Sequence, residues 1–523
     1  MKLFPCLFFI LVTAFPAGLL HGQADNARIN LNKPLRIEIP VKSDNETYRI
    51  IPCGRAGLVL FFKSIENAGE GKIKWIFSWY DNTLTPVWTK YVAIPDNMEY
   101  KSYSFESETV AFLFSLVGKD KESNYNFQVI RLNIKTSKFT GNFGKIPDNF
   151  EISRFILRDQ TVFFGLNSKN SFAAVHLMNL GTGHSNTISL NKEFNTTLIG
   201  LTIDTSNSGI IAVIKKRLSK SQSECELLTT DTTGKLTQET TISTISPERE
   251  LNNIQLYHYS TSGFMVFGTY RNTRSKSTSK TSTGIESTGF FTTRIENGLQ
   301  KDVNFCNFLD MKNSYSLLSP KESIALKRKA MKGNPGLTEY SMDLSLLMHA
   351  PVYRNGQFIL LSESYSPQYH TENITDFDFY GRPFTTSYSV FDGYRYTNGI
   401  ITGFDGEGKL LWDNNMEIRN LISFELKPRV IDYLSGQDDI LSYLSEGRIG
   451  SKVIHQNEIV EKLDFTPLEM VSDDDKLLSE TKASMVFWYD TYFLCLGYQE
   501  IKNISQEGNG KRIVFYFNKI RIE

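Results

Sequence analysis

Residues 110–117 read VAFLFSLV, an eight-residue stretch without a charge. A strand with one wet face alternates apolar and polar side chains, so a nearly continuous apolar run is expected of a strand buried on both faces. The same kind of run follows a turn signal at LVLFF from Leu58, VFFGL from Val162, IIAVI from Ile210, FMVFG from Phe264, FILLS from Phe358, ILSYL from Ile440 and YFLCLGY from Tyr492. Successive starts lie 52, 52, 48, 54, 94, 82 and 52 residues apart.

An alternating strand precedes the run, as in YKSYSF before Val110 or SMVFWYD before Tyr492, and more polar strands follow, as in NFQVIRLNI from Asn126. Four antiparallel strands at a period of about 45 to 50 residues are the signature of a propeller blade. The chain is therefore expected to be all-β, a β-propeller of about eight four-stranded blades, or seven if one wide gap is misread. LRIEIPV at 35–41 stands alone before the first unit, while RIVFYF and KIRIE reach residue 523. Pairing of that lone strand into the last blade would close the ring and remove its exposed edges.

GFDGEGKLLWDN at 403–414 falls in this frame as the third strand, turn and fourth strand of the sixth unit. Asp405, Gly408, Lys409 and Trp412 stand in the pattern D-x-x-G-K-x-x-W, with weaker echoes in WYDNTLTPVWTK at Trp79 and TTDTTGKLTQ at Thr229. The pattern resembles the blade motif of the quinoprotein-like (PQQ/WD40-like) propellers, and the resemblance implies architecture only. Asp and Gly suit a tight hairpin, and the Trp is expected to pack between blades. The enzymes of that family add a vicinal Cys-Cys pair and calcium-holding acids. This chain has no adjacent cysteines, so no cofactor is expected.

The first residues, MKLFPCLFFILVTAFPAGLLHGQA, join Lys2 to an apolar core and small residues at Gly22 and Ala24, a secretory signal pattern. Cleavage after Ala24 leaves one propeller domain over 25–523, expected to be monomeric, without a transmembrane segment, and either periplasmic or at the cell surface. Heavy use of Phe, Tyr, Asn, Lys and Ser resembles that of Gram-negative envelope proteins. Lys plus Arg and Asp plus Glu both number 57, a balance that gathers neither nucleic acid nor an anionic membrane. Cys53, Cys225, Cys306 and Cys495 are too scattered for a disulfide scaffold. Buried strand cysteines are the expectation, with a Cys53–Cys495 bridge across the ring closure as the alternative.

The two wide gaps hold insertions. In the first, about 306–349, SPKESIALKRKAMKG predicts a short helix over 319–333, with Ser319 as N-cap, Pro320 at the first position, Glu322 completing a capping box and Gly333 as a stop. Its basic end, Lys327 to Lys332, suits the helix dipole or an acidic partner. The second, 362–399, is dense in aromatic rings and is expected to form a long loop on one face of the ring. Tyr365, Tyr369, Asp376, Asp378, Tyr380, Asp392, Tyr394 and Arg395 are its candidate ligand-binding residues, because Tyr offers a flat apolar face and a hydroxyl to a peptide or sugar. Packing of these rings onto the propeller is the alternative. Asp376, Asp378 and Gly381 have the look of a calcium loop, but Tyr380 and Ser387 replace oxygen ligands, so no metal is expected. RNTRSKSTSKTSTGIEST from Arg271 reads as a polar hairpin tip.

No GxSxG elbow, phosphate loop or HExxH is present, and the histidines are dispersed. The catalytic residues are unknown. The expected function is that of a non-catalytic exported propeller binding an envelope protein or glycan through its loop face. The alternative is a propeller-type glycan hydrolase or lyase, with acids such as Glu363, Asp376, Asp378 and Asp392 converging at the central channel.

Overall fold

The computed structural model describes residues 35–522 except 119–123, 191–194, 205–208, 220–221, 247, 261–262, 273–285, 318–320, 322, 325–341 and 506–509. Its strands form eight antiparallel sheets in ring order: blade 1 over 49–95, blade 2 over 98–144, blade 3 over 150–189, blade 4 over 196–242, blade 5 over 249–307, blade 6 over 345–423, blade 7 over 431–467 and blade 8 over 475–521. Each of the eight apolar runs is the second strand of its blade, and the count is eight, not seven.

The runs are apolar because both of their faces are buried. Val59 and Phe61 of blade 1 pack with Val110, Phe112 and Phe114 of blade 2. The intervening Leu58 and Leu60 pack with Leu494 and Phe515 of blade 8. Alternate side chains of one strand thus enter two different inter-blade cores, and the same division recurs around the ring. The core is eight wedges between blades.

Closure follows the expectation. Leu35–Val41 pairs antiparallel with the last strand, from Leu35 opposite Lys519 to Val41 opposite Ile513, as the outermost strand of blade 8. Arg36 bonds Asn518 and Gln499 and lies over the Tyr516 ring, while Trp488 donates its indole N–H to the Gly57 carbonyl at 3.0 Å, tying blade 8 to blade 1. Cys53 and Cys495 are both free and buried in different wedges, so the bridge does not form.

Strand parity sorts the connections. First-to-second and third-to-fourth turns lie on one face of the ring, and second-to-third turns and links between blades lie on the other. The first face has only short turns, none longer than the six residues 204–209. The second face carries the 362–399 region, and the strand ends that flank the long connection of blade 5, Asn272 and Gly289, and its link to blade 6, Asn307 and Ser345, lie on it too. The helix predicted over 319–333 falls almost wholly outside the described residues.

The 362–399 region is not a loop. The second and third strands of blade 6, Gln357–Phe377 and Pro383–Phe404, stay paired along their length to a tight turn at 378–382. Alternation of β-branched and aromatic residues with polar ones sustains a strand pair, and the Gly381 turn fits a hairpin better than an open loop. The inner strand of blade 6 reaches only to Ser345 opposite Tyr365, so the hairpin runs on past the blade as a two-stranded arm. Twelve residues from Ser366 to Phe377 give it a length of about 40 Å.

Deleting residues 35–41 should lower the thermal midpoint and produce aggregates on size exclusion, because the 511–521 edge becomes free. A monomer of unchanged midpoint would show that the wedges hold the ring without that strand.

Candidate functional site

The blade motif reads as a set of fasteners. The Asp405 carboxylate accepts the N–H groups of Glu407 and Lys409 at 2.9 and 2.8 Å, and Gly408 takes φ +83°. Thr292 of blade 5 donates to the Gly408 carbonyl at 2.5 Å, and a Cβ at Gly408 would strike that side chain. Trp412 is buried against Leu441, Tyr443 and Ile454 of blade 7. Asp413 receives the N–H groups of Lys312 and Asn313, holding the link from blade 5, and Asn414 bonds the Gln456 carbonyl of blade 7. Every polar side chain of the motif that lies near another element is occupied in stitching. Asp81 and Asp231 cap equivalent turns, through Thr83 and Thr85 and through Thr233 and Lys235.

The arm carries most of the candidate ligand-binding residues, spread along its length. At its foot Tyr365 and Tyr394 meet edge to face at 5.5 Å, and Phe391 joins Tyr394 to Tyr369 and Phe424. Burial raises the Tyr365 hydroxyl pKa. Thr397 and Asp392 are extra residues on their strand, bulges that bend the arm where it leaves the blade. Asp392 uses its carboxylate on His370 Nδ1 at 2.5 Å. That bond, with a second from Glu372, raises the imidazole pKa. Tyr388 donates to Glu372 at 2.6 Å.

Beyond the bulge the register separates two faces. His370, Glu372, Ile374 and Asp376 share one with Val390, Tyr388 and Phe384, while Thr371, Asn373 and Thr375 share the other with Ser389, Ser387 and Thr385. At the tip Asp378 accepts the N–H groups of Tyr380 and Arg382 and the Arg382 Nε, all at 2.9 Å, which holds its carboxyl below the usual range. The calcium-loop look of this stretch is therefore the same Asp-capped turn that recurs in the blades. Around it Phe377 is 67% exposed, Phe379 97% and Tyr380 78%, so these rings face solvent and do not pack the arm onto the propeller.

The acids proposed for a catalytic pair are not brought together. Glu363 is buried inside blade 6, where one carboxylate oxygen takes His349 Nε2 at 2.6 Å and the N–H groups of Arg429 and Val430 at 2.7 and 2.8 Å. It fastens the link to blade 7. Asp376 lies thirteen residues further along the same extended strand, roughly 40 Å away.

A different acidic group does assemble, on the short-turn face, between the inner strand of blade 6 and the first two strands of blade 7. Arg354 donates to Asp432 at 2.6 Å and to Asp439 at 2.5 Å. Burial, with the neighbouring Asp432 charge adding to it, lifts the Asp439 carboxyl from an ordinary 3.8 to about 7, and burial also raises Asp432 against the pull of Arg354. One guanidinium thus serves two carboxylates. Its sequence signal is Asp438-Asp439 set directly before a buried run.

No known family's sequence profile matches the chain, and no curated protein matches it. Among solved structures the chain is similar to the polysaccharide lyase Uly1, at 10% identity and a TM-score of 0.38 over 81% of this chain and 90% of that one. It is similar to the dihydro-heme d1 dehydrogenase NirN at 9% and 0.42, over 95% and 82%. The β-propeller domain of the trilobed protease from Pyrococcus furiosus is matched at 11% and 0.33, over 79% and 97%.

Because the Asp439 carboxyl is raised in the folded state, the folded protein holds a proton that the unfolded chain releases between about pH 4 and 7. Stability conferred by that proton is present below the lower value and is lost as pH rises through the upper one. The thermal midpoint of Asp439→Asn should therefore fall less than that of the wild type across this window. Parallel curves would place the proton elsewhere. Arg354→Met leaves both carboxylates without their cation and should cost about 3–5 kcal/mol in chemical denaturation.

Proposed function

We propose that this is an exported binding propeller of the cell envelope, whose blade-6 arm docks into a partner protein. The observation that carries this reading is the arm itself. Two paired strands continue about 40 Å past the blade and end in Phe377, Phe379 and Tyr380, which the protein's own body leaves uncovered. Exposed aromatic clusters on a rigid support are a recurrent form of protein-binding anchor. Between its foot and its tip the arm pairs with no third strand among the described residues, so its edges also offer backbone groups for strand addition. Glu372, Asp376, Asp378 and Arg382 keep charge along it, which guards against indiscriminate pairing. The signal pattern at residues 1–24 supports export, and a single closed ring supports a monomer.

A glycan hydrolase or lyase is the second reading, and Asp432, Asp439 and Arg354 favour it as an acidic group between blades 6 and 7. It ranks lower because both carboxylates are buried against their guanidinium.

The test is a crosslinking pull-down from the envelope fraction with the mature protein and a variant in which residues 371–389 are replaced by Asn-Gly, joining the opposed His370 and Val390. Phe379→Ser/Tyr380→Ser serves as a milder version. A partner protein that the wild type enriches, that the double variant holds about tenfold less and that the truncated arm loses supports the reading. Equal recovery by all three, with unchanged thermal midpoints, would defeat it.

A further inference from the structure

At the foot of the arm, outside the aromatic cluster, the outer strands of blades 6 and 7 part to leave a cavity of about 610 Å3. Three cations reach it from different elements: Arg395 from the arm strand of blade 6, and Lys452 and Lys462 from the third and fourth strands of blade 7. None of the three forms an ion pair among the described residues. Glu417 also lines the cavity, but its carboxylate is engaged by the Arg419 guanidinium at 2.7 and 3.0 Å. The site therefore carries an uncompensated positive charge.

Lys452 is the most telling of the three. It is only 8% exposed, and its ammonium meets only neutral oxygens, the side chain of Asn414 at 3.2 Å and the carbonyl of Asn415. Burial lowers its pKa with no acid nearby to oppose the shift. A buried charge without a counter-charge is costly, and buried lysines are ordinarily paired. An anion entering the cavity would supply the missing partner and remove that cost. Asn398, Asn415 and Asn420 add amide donors beside the cations, while Leu317 and Ile459 give the wall an apolar side.

We infer that the cavity between blades 6 and 7 is a binding site for a small oxyanion-bearing ligand, whose carboxylate, phosphate or sulfate group is held by Lys452, Arg395 and Lys462. Arg395 supplies a planar fork suited to two oxygens of such a group, and Lys452 a fixed point charge beneath it. The site stands apart from the exposed tip of the arm, so it does not depend on the docking reading. Binding there would tie the foot of the arm to blade 7.

Calorimetric titration of the mature protein with inorganic phosphate, sulfate and glucuronate in low-salt buffer tests this and separates the three sources of the oxyanion. At least one should bind with 1:1 stoichiometry. Arg395→Gln/Lys462→Gln changes only exposed side chains and should weaken that binding at least tenfold, and Lys452→Met should abolish it. Since Lys452→Met alters a buried position, a second measurement accompanies it: amine-reactive labelling of Lys452 in the wild type, followed by mass spectrometry, should slow when the bound anion is present. No binding of any of the three at millimolar concentration, or binding and labelling that the Arg395→Gln/Lys462→Gln variant leaves unchanged, would overturn the inference.

Discussion

A four-stranded sheet that is apolar on both faces has no stable existence alone in water, and this constraint organises the whole protein. Each second strand sends alternate side chains into the wedge before it and the wedge behind it. A row of such sheets always leaves two outer faces wet, and only a ring leaves none. The pairing of residues 35–41 with the last strand is the hydrogen-bonded completion of that ring, and the blade 8 to blade 1 wedge is its apolar counterpart. The fasteners at Gly408 and Asp413 belong to the same requirement, since each holds one blade or link to its neighbour.

Once the ring is set, strand parity decides where variation is allowed. Turns on one face are short and capped, with Asp81, Asp231 and Asp405 repeating one solution. The other face carries the arm of blade 6 and the cavity at its foot. The arm extends two strands already present in blade 6, so it inherits their register and stiffness. Its rings are presented by a paired backbone, at less cost in ordering on contact than a flexible loop would incur.

The acidic residues show how location separates roles that composition cannot. Glu363 fastens a link, Asp378 caps a turn and Asp392 holds a histidine, although all three come from one short stretch of chain. Asp432 and Asp439, on the first two strands of blade 7, share one guanidinium because the inner strand of blade 6 meets them there.

Periodicity was legible from the residues alone. The eight apolar runs announce two-sided burial, and their spacing announces blades, because a strand's burial is written directly in its alternation. The lone strand at 35–41 could be matched to the ring closure for the same reason. The turn at Asp405 was likewise readable, since its geometry is local. What only the folded chain decided is what comes from different blades. That Glu363 is enclosed while Phe379 stands in solvent depends on where the inner strand of blade 6 stops. That Arg354 meets Asp432, and that Arg395, Lys452 and Lys462 converge without an ion pair among the described residues, depends on the angle at which neighbouring sheets are held. No local pattern records that angle, because it is set by the packing of whole wedges.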